Sequence, residues 1–165
     1  GAISDASFPT TALALWTREG WCYLAVVLDL ASRRIVGWAV RSTLETALVL
    51  AALHLALGRR RVVPGLIHHS DRGSQYASAI YQHTLATHGL IPSMSRVGDC
   101  WDNAPVESFF SGLKAELVPE QPWASRAVAE TAVADHIDFY NRRRLHSALG
   151  YRSPVDFEAH YAAAV

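Results

Sequence analysis

Neither sign of charge is in surplus in this chain: fifteen lysine and arginine residues stand against fifteen aspartate and glutamate, a formal net charge of zero over 165 residues. Phosphate binding usually shows as a basic surplus, so the sum argues weakly against a nucleic-acid partner, and the distribution of charge matters more than the sum. Cysteine is scarce as well. Cys22 and Cys100 lie far apart, match neither a metal-ligand spacing nor a disulfide framework, and read as reduced thiols. Long hydrophobic runs are missing: the longest uncharged apolar stretch, Thr46 to Leu57, is interrupted by His54 and falls short of the roughly 20 residues that span a bilayer. Gly1 to Pro9 holds one acid and no base, which does not suit a signal peptide, so the expected location is the cytoplasm, away from any membrane. Lysine is reduced to one residue, Lys114.

What is present is a composition that is 50% hydrophobic and 10% aromatic, enough to bury the core of one ordinary domain. The charges are unevenly spread. Residues 41 to 70 carry four bases and one acid, whereas residues 71 to 124 carry three bases and six acids: Asp71, Asp99, Asp102, Glu107, Glu116 and Glu120. Such an acidic middle third is either a solvated face or a carboxylate site for divalent cations, and the motifs must decide.

Trp21 to Leu30 and Ile35 to Val40 are β-branched and aromatic runs separated by Ala31-Ser32-Arg33-Arg34, and they predict a hairpin, with Ile3 to Phe8 as a third strand. Ser42 and Glu45 have capping-box spacing. Leu44, Leu48, Ala51, Ala52 and Leu55 then recur at helical intervals up to Gly58. Leu66 to His69 reads as a short strand, Ser74 as the cap of a helix carrying Tyr76, Ile80, Tyr81 and Leu85 that Gly89 ends, and Leu90 to Met94 as another strand. Asp102 or Asn103 would cap a helix with Pro105 in its first turn and Val106, Phe109, Phe110, Leu113 and Leu117 on one stripe. A last helix spans about Ser125 to Tyr140 and runs into Asn141-Arg142-Arg143-Arg144. Three antiparallel strands followed by strand–helix units predict an α/β fold with a mixed five-stranded sheet, flanked by helices.

Asp71 follows a strand and precedes a glycine-containing turn, which puts it at the carboxyl end of a strand, where ligand sites of open α/β sheets gather. An aspartate there is also a good turn former. Glu107, with thirty-five residues between it and Asp71, falls in the first turns of a helix, where a carboxylate also suits the helix dipole. Lys114 lies seven residues beyond Glu107; two helical turns put the pair on one face about 10 Å apart, so the ammonium is placed for a phosphate or is simply a surface lysine. His68 and His69 flank the Asp71 strand and read as core or supporting groups. Neither His83 with His88 nor His136 with His146 has the spacing that helical zinc sites use.

The wording around these acids, HHSDRGSQY at 68–76 and DNAPVESFFSGLK at 102–114, resembles an insertion-sequence transposase of the retroviral-integrase type. The resemblance continues through YLAVVLDLASRRIVGWAV at 23–40, PGLIHHSDRGSQYAS at 64–78 and FYNRRRLHSALGYRSPVDFEA at 139–159, nearly the whole chain from Trp21. It implies a ribonuclease-H-like fold and the integrase catalytic core, a single domain over residues 1–165, belonging to a longer transposase whose helix-turn-helix DNA-binding region lies outside it. It also implies an Asp, Asp, Glu triad that holds two Mg²⁺ or Mn²⁺ ions for phosphoryl transfer on DNA. Asp71 matches the second acid and Glu107 the third. The family has its first acid on the first strand, and Asp5, in Ser4-Asp5-Ala6-Ser7-Phe8, is the choice, with Asp29 as rival. The stretch from Asp5 to Trp21 is longer than the family pattern, so an extended hairpin or a divergent segment is expected.

By the same resemblance Lys114, Asn103, Arg142 and Arg144 are DNA-binding candidates, with helix capping and solvated helix ends as the plain alternatives for Asn103 and the arginines. The implied partners are transposon-end and target DNA, at the nucleoid, and further copies of the chain, because joining two DNA ends needs at least two active sites. A core of neutral charge is expected to bind DNA weakly by itself. The other readings are a metal-dependent nuclease that only hydrolyses, and an inactive core that binds DNA or a partner without chemistry.

Overall fold

The structure is a computed structural model that describes residues 7–94 and 104–164. Strands β1 (Thr10–Thr17), β2 (Gly20–Leu28) and β3 (Ile35–Arg41) form an antiparallel meander, in which Trp16 pairs with Trp21 and Val26 with Trp38. β4 (Ile67–Ser70) and β5 (Ile91–Met94) pair in parallel from Ile67 opposite Ile91. The two sheets meet through the residues that lead into β1. Ser7 bridges Ile67, the Phe8 amide donates to the Ile67 carbonyl at 2.8 Å, and the Leu30 amide donates to the Ser7 carbonyl at 3.0 Å. Ser7 to Pro9 thus lie between the end of β2 and β4, giving a mixed layer in the order β3, β2, β1, β4, β5.

Helices cover both faces of this layer. On one side Leu24, Val26, Leu28 and Ile35 pack with Val106, Phe109, Phe110 and Leu113 of α4 (Ala104–Glu116) and Ala129, Val133 and Ile137 of α5 (Arg126–Arg142). On the other, Ala25, Val27, Val36 and Ala39 pack with Leu48, Val49, Ala52 and Leu53 of α1 (Thr46–Arg59). Tyr76 of α2 (Ser74–Ala77) and Tyr81 and Leu85 of α3 (Ala79–Thr87) join that second layer. Burial on both faces is why β2 reads as an unbroken apolar run rather than an alternating one. A side chain at Gly37 would collide with the Ala52 carbonyl, so glycine lets α1 lie directly on β3.

Several local expectations are corrected. Most of the strand expected at Ile3 to Phe8 lies outside the described residues; the strand that precedes Trp21 is Thr10–Thr17, which makes the hairpin an extended one whose tip is held by the Arg18 amide donating to the Trp123 carbonyl at 2.8 Å. Pro9, which has no amide to give, stands at the strand's entrance. Ser42 and Glu45 do not form a capping box: β3 runs on through Arg41, the next residues turn the chain, and Glu45 precedes α1 without a side-chain cap. The helix expected from Ser74 breaks at Ser78, whose hydroxyl accepts from the Tyr81 amide and starts α3. Ser125, at the expected start of the last helix, caps α5 by accepting from Val128 N–H at 3.1 Å. The sequence reading missed α6 (Pro154–Ala164), although Ser153 caps it and proline opens it. No helix among the described residues is long and apolar enough to cross a membrane.

Candidate active site

Asp71 leaves the carboxyl end of β4. Its Oδ1 accepts the Gly73 amide at 2.7 Å, a turn that aims the carboxylate and leaves Oδ2 without a part in that bond. A Cβ at Gly73 would meet the ends of the Gln75 and Asp71 side chains, and Gln75 is free to swing aside. Beneath it the strand is anchored in the core. His68 is buried and its Nε2 lies 2.6 Å from the Tyr81 hydroxyl. Burial, with the neighbouring His69 second, pushes the His68 imidazole down to about 4, so it is neutral at ordinary pH. Tyr76 packs edge-on against Tyr81 at 5.5 Å, and burial raises the hydroxyl pKa of both. His68 is therefore a core histidine, the role its place on the strand suggested.

Glu107 is exposed in the first turn of α4, near the positive end of the helix dipole, while Val106, Phe109, Phe110 and Leu113 bury the other side of that helix. Lys114, also exposed, follows two turns later on the same side as Glu107. It borders a groove lined also by Trp16, Trp21 and Val118. Asp5 and Asn103 lie outside the described residues. Among the described residues no group of three His, Cys, Asp or Glu side chains is placed to hold a metal ion. Asp71 and Glu107 supply hard oxygen donors, which suit Mg²⁺ or Mn²⁺ rather than zinc.

Asp29 is occupied by its own turn. Its Oδ1 accepts the Ala31 and Ser32 amides at 2.9 and 3.3 Å, and its Oδ2 lies 3.8 Å from Arg60. Burial raises its pKa, with Arg60 acting against that rise. Arg60 and Arg34 in turn bind Glu158 of α6, holding that carboxyl below its usual range despite its burial. This network ties the β2–β3 turn to α1 and α6.

The basic C-terminal candidates make partners within the chain. Arg142 pairs with Asp138 at 2.8 Å one turn back on α5, and Arg144 pairs with Glu116 at the end of α4. The hydrogen bond from Arg144 holds the Glu116 carboxyl below its ordinary range. Asn141, inside the same motif, is buried and acts as a strand partner: its Oδ1 accepts the Ile35 amide at 2.8 Å and its Nδ2 donates to the Ile35 carbonyl at 3.0 Å. The sequence reading gave Tyr81 no part in supporting the strand of Asp71, and the hydrogen bond between His68 and Tyr81 reveals it.

The integrase core domain family model matches residues 6–100, and a second integrase core domain model matches 88–154. The chain belongs to the integrase core domain family. Within that family this core is similar to insertion-sequence transposases. It is 46% identical over 143 residues to the transposase for insertion sequence element IS904 of Lactococcus lactis subsp. lactis, covering 86% of this chain and 56% of the relative. It is 47% identical over 145 residues to transposase InsF for insertion sequence IS3A of Escherichia coli strain K12, covering 87% and 50%. The chain spans about half the length of these curated relatives. The fold is that of retroviral integrase cores, ribonuclease-H-like. The integrase catalytic core domain of HTLV-2, solved in complex with magnesium in a trimeric form, superposes with a TM-score of 0.70 at 13% identity, covering 93% of this chain and 95% of that one. A chain of the simian T-cell lymphotropic virus intasome gives 0.76 at 14% identity, covering 93% and 54%.

Proposed function

We propose that this integrase core is the catalytic domain of a longer DNA transposase, cleaving the ends of its element and joining them to target DNA by phosphoryl transfer. The observation that carries the reading is the 46–47% identity to insertion-sequence transposases across 86–87% of the chain. Cleavage lets a water oxygen attack the phosphorus and expels a 3′-oxygen. Joining lets that 3′-hydroxyl attack a target phosphorus, so one P–O bond forms as another breaks and the number of phosphodiesters is conserved. No covalent protein intermediate is required, and no serine or tyrosine nucleophile is invoked.

In this reading Asp5, Asp71 and Glu107 hold two Mg²⁺ or Mn²⁺ ions, which supply, when bound, charge neutralisation at the attacking and leaving oxygens. The chain's own contribution is placement. The Gly73 amide fixes one oxygen of Asp71 so that the other is presented. The neutral His68–Tyr81 pair stiffens the strand beneath without putting a positive charge under the carboxylates. Lys114, on the Glu107 side of α4, meets a DNA phosphate, with Asn103, Arg142 and Arg144 as further contacts. The active form is an assembly of several copies on DNA at the nucleoid.

The test is a DNA-joining assay in the transposase that contains this core, with Asp71→Asn and Glu107→Gln each introduced, alongside Mn²⁺ titration of the core followed by electron paramagnetic resonance. Joining and tight Mn²⁺ binding should both be lost. Nicked but unjoined product from the unaltered protein would instead indicate a hydrolytic nuclease, and full activity in either variant would overturn the site.

A further inference from the structure

A cavity of about 280 Å³ lies between α4, the end of α5 and the segment that follows it. Its α4 wall is Pro105, Ser108, Phe109 and Gly112, spaced i, i+3, i+4, i+7 on one face, whereas Glu107 and Lys114, seven apart, occupy another face. The cavity is therefore separate from the carboxylates of the candidate active site. Arg33, Tyr140, Arg144, His136 and His146 also line it, and no lining side chain among the described residues is acidic.

Three observations mark this wall as built for an anion. Arg33 is carried on the tight β2–β3 turn, φ 64°, where its amide donates to the Asp29 carbonyl at 2.7 Å and the turn fixes where its side chain starts. It forms no ion pair among the described residues. The second guanidinium, Arg144, is steadied from outside the cavity by Glu116 and by the Phe139 ring 5.7 Å away. Third, the buried Nε2 of His146 has no hydrogen-bond partner among the described residues. Both arginines act on the same two groups: they oppose the rise that burial imposes on the Tyr140 hydroxyl, up to about 12, and reinforce the fall that burial imposes on His146.

We propose that this cavity is a phosphate-binding site, in which Arg33 and Arg144 grip a tetrahedral phosphate group and Ser108, Tyr140, His136 and His146 surround its remaining oxygens. Two guanidinium forks converging with hydroxyl and imidazole donors suit an anion with several oxygens better than a single carboxylate. The phosphate comes either from a nucleic-acid strand, which would give the core a hold on DNA remote from Glu107, or from free phosphate.

The experiment is isothermal titration of the chain, in chloride buffer at neutral pH, with inorganic phosphate and with 5′-phosphorylated dithymidine. Saturable binding at one site per chain is expected. Arg33→Gln and, separately, Arg144→Gln should each weaken it by about tenfold or more, the loss of one charge-assisted contact. Arg59→Gln, exposed at the end of α1, should leave it unchanged. Displacement of phosphate by the dinucleotide identifies a strand phosphate as the ligand, and binding of inorganic phosphate alone identifies a free anion. Absence of saturable binding by either probe overturns the proposal. So does binding that persists unchanged in both arginine variants, once circular dichroism shows them folded.

Discussion

Two polar regions of this molecule use their charges in opposite ways. At the end of β4 the chain buries the neutral His68–Tyr81 pair beneath the surface and presents the Asp71 carboxylate on top, tied by a backbone amide. Around residues 138–144 the charges are exposed or half-exposed, yet Arg142 and Arg144 are matched to Asp138 and Glu116, and the Asn141 amide is consumed by Ile35. The first region invests in a stiff support and leaves an acid to bind something. The second closes many of its polar groups on the protein itself, while Arg33, Arg144 and His146 line the adjoining cavity.

The contrast breaks most sharply at the acids. Asp71→Asn or Glu107→Gln should reduce DNA joining by about a thousandfold or more, since each removes an anionic oxygen from the proposed metal site. Thermal unfolding should barely change, because Glu107 is exposed and Asp71 loses about 1 kcal/mol of turn bonding at most. A large fall in melting temperature together with retained joining would reverse the roles assigned to the two regions.

Next in size is Asn141→Ala, which strands both the amide and the carbonyl of Ile35 in the core and should cost about 2–4 kcal/mol in denaturant unfolding. Tyr81→Phe sharpens the same point at the other region. His68 already has one ring nitrogen, Nδ1, without a hydrogen-bond partner among the described residues, and the variant leaves its second nitrogen unpaired, for about 1–2 kcal/mol.

The pH dependence follows from His68. Its folded pKa, about 4, lies below the ordinary value of 6.5, so the unfolded chain binds the extra proton first as pH falls. The stability this histidine contributes is complete above about pH 6.5 and is lost between there and about pH 4, by at most about 1.4 kcal/mol per pH unit. His136 and His146, also lowered by burial, act in the same direction. Replacing His68 with Gln should flatten the curve in that window, and an unchanged slope would refute the assignment. The smallest effect is expected at Arg142→Gln, within about 0.5 kcal/mol, as for an exposed helical ion pair.

Much of this architecture was legible because hydrophobic patterning is local. β2, β3, α1 and α5 follow from apolar runs and helical spacing, and Asp71 at a strand end and Glu107 at a helix start followed from the same patterns. β1 is not legible in the sequence because Thr10 to Ala14 is a mixture of threonine, alanine and leucine with weak alternation, and its pairing is dictated by β2. The false capping box at Ser42 arose because nothing nearby signals that β3 persists to Arg41. The uses of Asn141 and Arg144 were out of reach for a different reason: their partners, Ile35 and Glu116, are 106 and 28 residues away. Charge and motif identify such residues as polar, and only the tertiary fold says what they hold.

The central claim is that Asp71 and Glu107, with Asp5, form a divalent-cation site. The most direct test is an anomalous-scattering map from a crystal of this chain soaked in Mn²⁺. The account predicts density within about 2.0–2.4 Å of an Asp71 carboxylate oxygen, with Asp5 and Glu107 at or beside the same ion. Density at Asp29 instead, or none near Asp71 at saturating Mn²⁺, would contradict it.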